Sequence, residues 1–126
     1  MREKEEFIRD FNEAFSKNDQ DFILNNMTED IIWDFIGERK VEGKEAVKEF
    51  MKPMEKVETL ELELEQIITH GRTAAANGRM KIREASGEIK SFGFADFYVF
   101  SGLKTPKVKK MTSYVVGLKE EKKENL

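Results

Sequence analysis

The chain predicts an α+β fold: three N-terminal helices covering the concave face of a cone-shaped, strongly bent antiparallel sheet. Two observations carry this. Apolar residues recur at helical spacing up to Pro53 and alternate with polar ones after it. Turn signals then cut the second half into four long segments, while the first half holds only one short hairpin.

The elements follow in order. Phe7, Ile8, Phe11, Ala14 and Phe15 predict an amphipathic helix from Arg2 to Lys17. The stretch SKNDQDF breaks it, and Asn18 or Asp19 can cap a second helix over residues 20–27, with Phe22, Ile23 and Met27 inward. TED reads as a turn, residues 31–36 as a strand, and GERKVEG as a tight return with a very short strand. Val47, Phe50, Met51 and Met54 predict a third helix. Pro53 drives Lys52 out of the helical region and ends or kinks that helix. Leu60, Leu62 and Leu64 then alternate with Glu61, Glu63 and Glu65, a strand with one dry and one wet face. THGR turns into a returning strand, 72–84, in which Gly78 suggests a bulge or a bend. ASGE leads to an aromatic strand, 88–101, and SGLKTP to a last strand, 107–117. Residues 1–118 read as a single domain and 119–126 as a charged, frayed tail.

Composition excludes several classes of function. The 126 residues are 39% hydrophobic and 37% charged, with a net charge of −3 and no basic block, so no nucleic-acid partner is expected. The absence of cysteine removes disulfides, thiol nucleophiles and thiolate metal sites, and fits a reducing, cytoplasmic setting. The first ten residues hold no apolar signal core, and no apolar run approaches the ~20 residues of a membrane span. The single histidine, His70, falls on a hairpin turn and reads as exposed. One histidine without cysteine makes no metal constellation, so neither metal nor cofactor is expected. Thr112 and Ser113 in MTSY have no histidine partner for a nucleophilic triad.

Two carboxylates stand out. Asp34 sits in IIWDFIG, where both strand faces are apolar, so at least partial desolvation is expected whichever way it points. Asp96 shares a strand face with Phe92, Phe94, Tyr98 and Phe100, surroundings that raise a carboxyl pKa. A bent sheet under helices leaves a cone that side chains fill with difficulty, and its open end is a natural ligand site. Two acids on separate strands of one cone suggest an acid and a base. The bland alternatives are an Asp34 paired with Arg39 or the backbone, and an Asp96 accepting from Thr112 inside the sheet.

The run EDIIWDFIG, the glycine six residues after Gly37, the helix GKEAVKEF and the strand ADFYVF resemble the nuclear transport factor 2-like (cystatin-like) cone, in its branch of SnoaL-like polyketide cyclases and ketosteroid isomerases. The resemblance spans about residues 7–117. It implies that Asp34 occupies the place of the general base and Asp96 that of a protonated acid donating to an enolate oxygen. It also implies a pocket lined by Phe50, Met111 and Val115. Those isomerases place a tyrosine donor on the first helix, and the corresponding residue here is Phe11. Tyr98 or Tyr114 would have to replace it. The resemblance implies an isomerase or cyclase that moves a proton next to a carbonyl without a cofactor, Asp34 acting as base and Asp96, neutral near pH 7, as donor. The alternatives are a non-catalytic binder of a small hydrophobic ligand and a dimeric interaction domain of the same fold. Phe97 and Val99, on the sheet face away from the helices, predict a homodimer.

Overall fold

The computed structural model describes residues 2–102 and 106–119. From residue 120 on, the expected tail lies outside the described residues, as does the middle of the expected turn at 101–106. Helices α1 (Arg2–Ser16) and α2 (Gln20–Asn25) lead into strands β1 (Met27–Phe35) and β2 (Arg39–Glu42). Helix α3 (Lys44–Met51) passes into a 3-10 turn over Lys52–Lys56. The α-helix ends next to Pro53 as expected, but Lys52 is not driven out of the helical region, with φ −54° and ψ −46°. Strands β3 (Glu58–His70), β4 (Thr73–Arg83), β5 (Ile89–Phe100) and β6 (Val108–Leu118) complete one curved, open, six-stranded sheet in the order β2-β1-β6-β5-β4-β3.

Two expectations need correction. β1 starts at Met27, so TED lies inside the strand instead of turning before it. The sheet is also not wholly antiparallel, because β1 runs parallel to β6. No tight turn joins these two strands. The whole of the other strand set intervenes, so chain connectivity does not force them antiparallel.

The helices are tied down locally. Asp19 is the cap of α2, its carboxylate accepting from the Phe22 amide at 3.2 Å. Asn18, in the left-handed region, donates to the Val57 carbonyl at 3.1 Å, and Gln20 donates to the Met51 carbonyl at 3.0 Å. These bonds hold the first loop against the end of α3. At the opposite end of α1, Lys4 donates to the Gly71 carbonyl in the β3–β4 turn.

The core lies between α1 and the inner sheet face. Phe7 packs edge-on to Phe100, Phe11 to Tyr98 and Phe15 to Trp33, with ring centroids 5.6, 6.2 and 5.4 Å apart. Every fourth residue of one helix face thus meets a ring from a different point across the sheet. Gly78 sits opposite a register shift between Leu64 and Gln66, so the bulge falls on β3, facing the glycine. A Cβ at Gly78 would lie 2.0 Å from the Glu63 carbonyl oxygen. Only glycine permits this approach, and the bulge adds curvature at that point.

Candidate functional site

Curvature leaves a cavity of about 320 Å³ between α1, the 3-10 turn and the inner face of β3–β6. Its wall is mainly apolar, including Phe15, Trp33, Phe35, Leu62 and Phe94. Among the described residues, Asp96 is the single charged side chain lining it.

The polar side chains of the floor form a chain of three and a separate pair. Asp96 lies opposite Ser113 in the β5–β6 register. The Ser113 hydroxyl donates to Asp96 Oδ1 at 2.6 Å, a short distance consistent with an ionised acceptor. The Trp33 indole N–H donates to the same Ser113 oxygen at 2.9 Å, across the β1–β6 pairing. Two residues along β5 from Asp96, Tyr98 accepts a hydrogen bond from Asn12 of α1 at 3.0 Å. The second Asn12 amide hydrogen goes to the Ile8 carbonyl at 2.9 Å.

Burial pushes the Asp96 carboxyl up from its ordinary 3.8 to about 6, against the opposing pull of the Ser113 hydrogen bond. The rise has the direction that the aromatic strand predicts, but its size leaves the group mostly ionised at pH 7. Burial, with the Asp96 charge adding to it, also raises Tyr98, which stays a neutral phenol and a donor.

The sequence profile of the SnoaL-like domain matches residues 8–105. The chain belongs to the SnoaL-like domain family. No curated protein matches it. Among solved structures, an NTF2-like protein of unknown function from Cytophaga hutchinsonii is 23% identical, over 86% of this chain and 95% of that one, with a TM-score of 0.65. An epoxide hydrolase of M. tuberculosis, LEH-like, is 13% identical over 86% and 79%, with a TM-score of 0.73. SalBIII, an epoxide hydrolase/cyclase-like enzyme of pyran ring formation in the polyether salinomycin, is 14% identical over 91% and 92%, with a TM-score of 0.75. At these identities the likeness establishes the NTF2-like fold.

Within this SnoaL-like domain, the residues singled out from sequence divide between four places. Asp96, Tyr98, Met111 and Val115 line the cavity. Phe11 is fully buried in the core beneath it. Phe50 packs on Trp33 and Phe35 from behind, with the Arg39 guanidinium 5.1 Å from its ring centroid. Neither Phe11 nor Phe50 is among the lining residues.

Asp34 is not among the residues that line the cavity. Trp33 and Phe35 face the cavity, so alternation turns Asp34 to the outer face, beside Thr112 on β6 and Lys40 on β2. Among the described residues, Asp34 forms no ion pair with Arg39. Thr112 also points outward, and it is Ser113 that bonds Asp96. Tyr114 stands on the outer face, edge-on to Phe97 at 6.0 Å, and cannot serve the cavity. His70 is exposed at the end of β3. Among the described residues, no group of three or more acids and histidines could hold a metal.

Sequence reasoning missed Asn12, Trp33 and Ser113. A helical signal for Asn12 existed, since Asn12, Phe15 and Ser16 share the i, i+3, i+4 face that lines the cavity. Ser113 carried no such signal, because its role depends on strand register.

Proposed function

We propose that the cavity binds a small hydrophobic carbonyl compound and that Asp96, as carboxylate, takes a proton from the carbon next to the carbonyl. The single observation behind this is one carboxyl, raised to about 6, alone among apolar walls. A base poised just below neutral pH is ionised yet basic enough to accept a carbon-bound proton in a dry site. As the C–H bond breaks, its electron pair moves into the enolate and the proton stays on Asp96. Tyr98 already accepts from Asn12 and keeps its own hydrogen for the enolate oxygen. Return of the proton to a different carbon gives an isomer. Attack of the enolate carbon on a second carbonyl, with the proton passing to the new alkoxide, gives a cyclised aldol. Either way the reaction needs no cofactor. The expected roles thus shift: Asp96 becomes the base, and Tyr98 the donor that the first helix lacks.

The experiment is deuterium exchange of a small enolisable ketone across pH, with substituted phenols titrated as cavity ligands. Exchange should rise with pH through about 6 and level off as Asp96 ionises. A wild type that binds no phenol and exchanges no proton would remove this reading. A second reading, a non-catalytic binder, is favoured by the outward turn of Asp34, which leaves one acid where two were expected. Phenol binding without any exchange would establish it.

A second copy of the chain belongs to the same proposal. Ile68, Ala75, Phe97 and Thr112 form one row across the outer face, and Tyr114 and Val116 follow on β6. Phe97 is 52% exposed and Val116 63%. A two-fold axis through such a patch sets apolar side chains of one copy on those of the other. Sedimentation equilibrium should give twice 14.7 kDa, and a monomer at micromolar concentration would refute it.

A further inference from the structure

The hydrogen bonds around Asp96 are directional, and the direction is set by the indole. A tryptophan N–H can only donate, so the Ser113 oxygen, 2.9 Å from Trp33 Nε1, must accept. The Ser113 hydrogen then needs an acceptor, and among the hydrogen bonds of the described residues Asp96 Oδ1 at 2.6 Å is the one it has. Ser113 is 2% exposed and Trp33 4%, so solvent does not offer an alternative. Asp96 Oδ2 is differently placed. It makes no hydrogen bond among the described residues, yet it is not one of their buried unpaired side-chain atoms, which are Thr28 Oγ1 and Asn77 Oδ1. It is therefore the oxygen open to the cavity.

We propose that Trp33 and Ser113 are positioning residues that hold Oδ1 of Asp96 permanently as an acceptor, so that every proton the carboxylate takes or returns travels through Oδ2. The role of Asp96 as base rests on the function proposed above, whereas the fixed orientation rests on the hydrogen bonds alone. A carboxyl with two free oxygens can pick up its proton on either and turn it away from the ligand. This one cannot: a proton on Oδ1 would confront the Ser113 hydrogen, and that hydrogen could not turn towards the indole. The relay thus ties the protonated form to one geometry and favours the ionised form. Among the described residues lining the cavity, no other charge complicates the titration of Asp96. The side chains lining the cavity from α1, β1, β3, β4 and β6 are uncharged, and Tyr98 on β5 is the one other titratable group there.

The test is the titration of Asp96 without substrate, followed by the carboxyl carbon signal in NMR. In the wild type, fluorescence of Trp33, the sole tryptophan, should follow the same midpoint, because its N–H is one serine away from the charge. Ser113→Ala removes the donor and should raise the midpoint by about one pH unit. Ser113→Cys keeps the size with a weaker donor and should fall between. Trp33→Phe frees the Ser113 hydroxyl to turn and accept a proton from Oδ1, so its midpoint should rise as well, by less than in Ser113→Ala. A merely structural role for the pair would leave these midpoints where they are. Unmoved midpoints in folded Trp33→Phe and Ser113→Cys would overturn the proposal, even if Ser113→Ala fails to fold. Raised midpoints in a protein that exchanges no ketone proton would sink the base reading and leave the relay standing. Exchange by wild type beside unmoved midpoints would do the reverse.

Discussion

Asp34 and Asp96 begin as near twins in the sequence and end on opposite sides of one sheet. Each sits in an aromatic strand segment, with a phenylalanine directly after it. Asp96 looks inward, bonded to Ser113 at the floor of an apolar cavity, and its pKa rises to about 6. Asp34 looks outward, beside Thr112 and in the row that continues to Phe97. The two environments differ because of strand parity, since a one-residue offset moves a side chain to the other face. An acid in an apolar run is thus a statement about the strand. Which face the acid occupies decides whether it belongs to a site or to a surface.

The largest expected effect tests the inner face. Asp96→Asn keeps the size but removes the proposed base, and should cut ketone exchange by on the order of 100- to 10,000-fold, the usual contribution of a positioned base. Phenol binding should weaken far less. A variant that exchanges as fast as wild type would place the base elsewhere and dissolve the contrast between the two aspartates.

The same substitution should raise stability. A folded-state pKa of about 6 against 3.8 unfolded means the folded protein binds more protons between those values. Stability attributable to Asp96 is therefore greatest at low pH and is lost as pH rises from about 4 to 6. At pH 7 the buried charge costs about 3 kcal/mol by the size of that rise. Asp96→Asn should recover up to that amount in urea unfolding at pH 7, with the gain vanishing below pH 4. A variant that is less stable than wild type at pH 7 would mean the carboxylate is better solvated than its surroundings imply.

On the outer face, Phe97→Glu places a charge in the centre of the exposed apolar row. It should weaken self-association at least tenfold in sedimentation while leaving the cavity and any exchange intact. Loss of exchange together with assembly would mean that the two faces are coupled through β5.

These differences were unevenly legible in the sequence. The Leu–Glu alternation from Leu60 to Glu65 has one dry and one wet face, so strand and orientation could both be read. Gly78 marked a bulge because little else tolerates so close a backbone. Residues 31–36 have no such contrast. Ile31, Trp33 and Phe35 on one side meet Ile32 and Ile36 on the other, so a strand was legible but its inward face was not. The resemblance carried by EDIIWDFIG located Asp34 in the chain and said nothing of its direction. The parallel β1–β6 pairing, which brings Trp33 to Ser113, depends on contacts between residues 80 positions apart. Local patterns carry no record of that pairing, so the relay behind Asp96 became visible only with the register.

The smallest expected effect is the sharpest check on the comparison. Asp34→Asn changes a side chain that lines no part of the cavity and makes no ion pair among the described residues. Its neighbours Thr112 and Lys40 are on the outer face, and Lys40 is exposed. Exchange should stay within about twofold of wild type, and unfolding free energy within about 0.5 kcal/mol, as for surface substitutions away from special features. The family resemblance implies the opposite, since it assigns Asp34 the base. The two expectations separate cleanly in one measurement of ketone exchange on purified Asp34→Asn at pH 7. If exchange collapses there while Asp96→Asn retains it, β1 must turn its aspartate inward when a ligand binds. Asp96 would then be the acid that serves it. If exchange persists in Asp34→Asn and collapses in Asp96→Asn, a single carboxylate on β5 carries the chemistry, and the outward aspartate belongs to the outer face of the sheet.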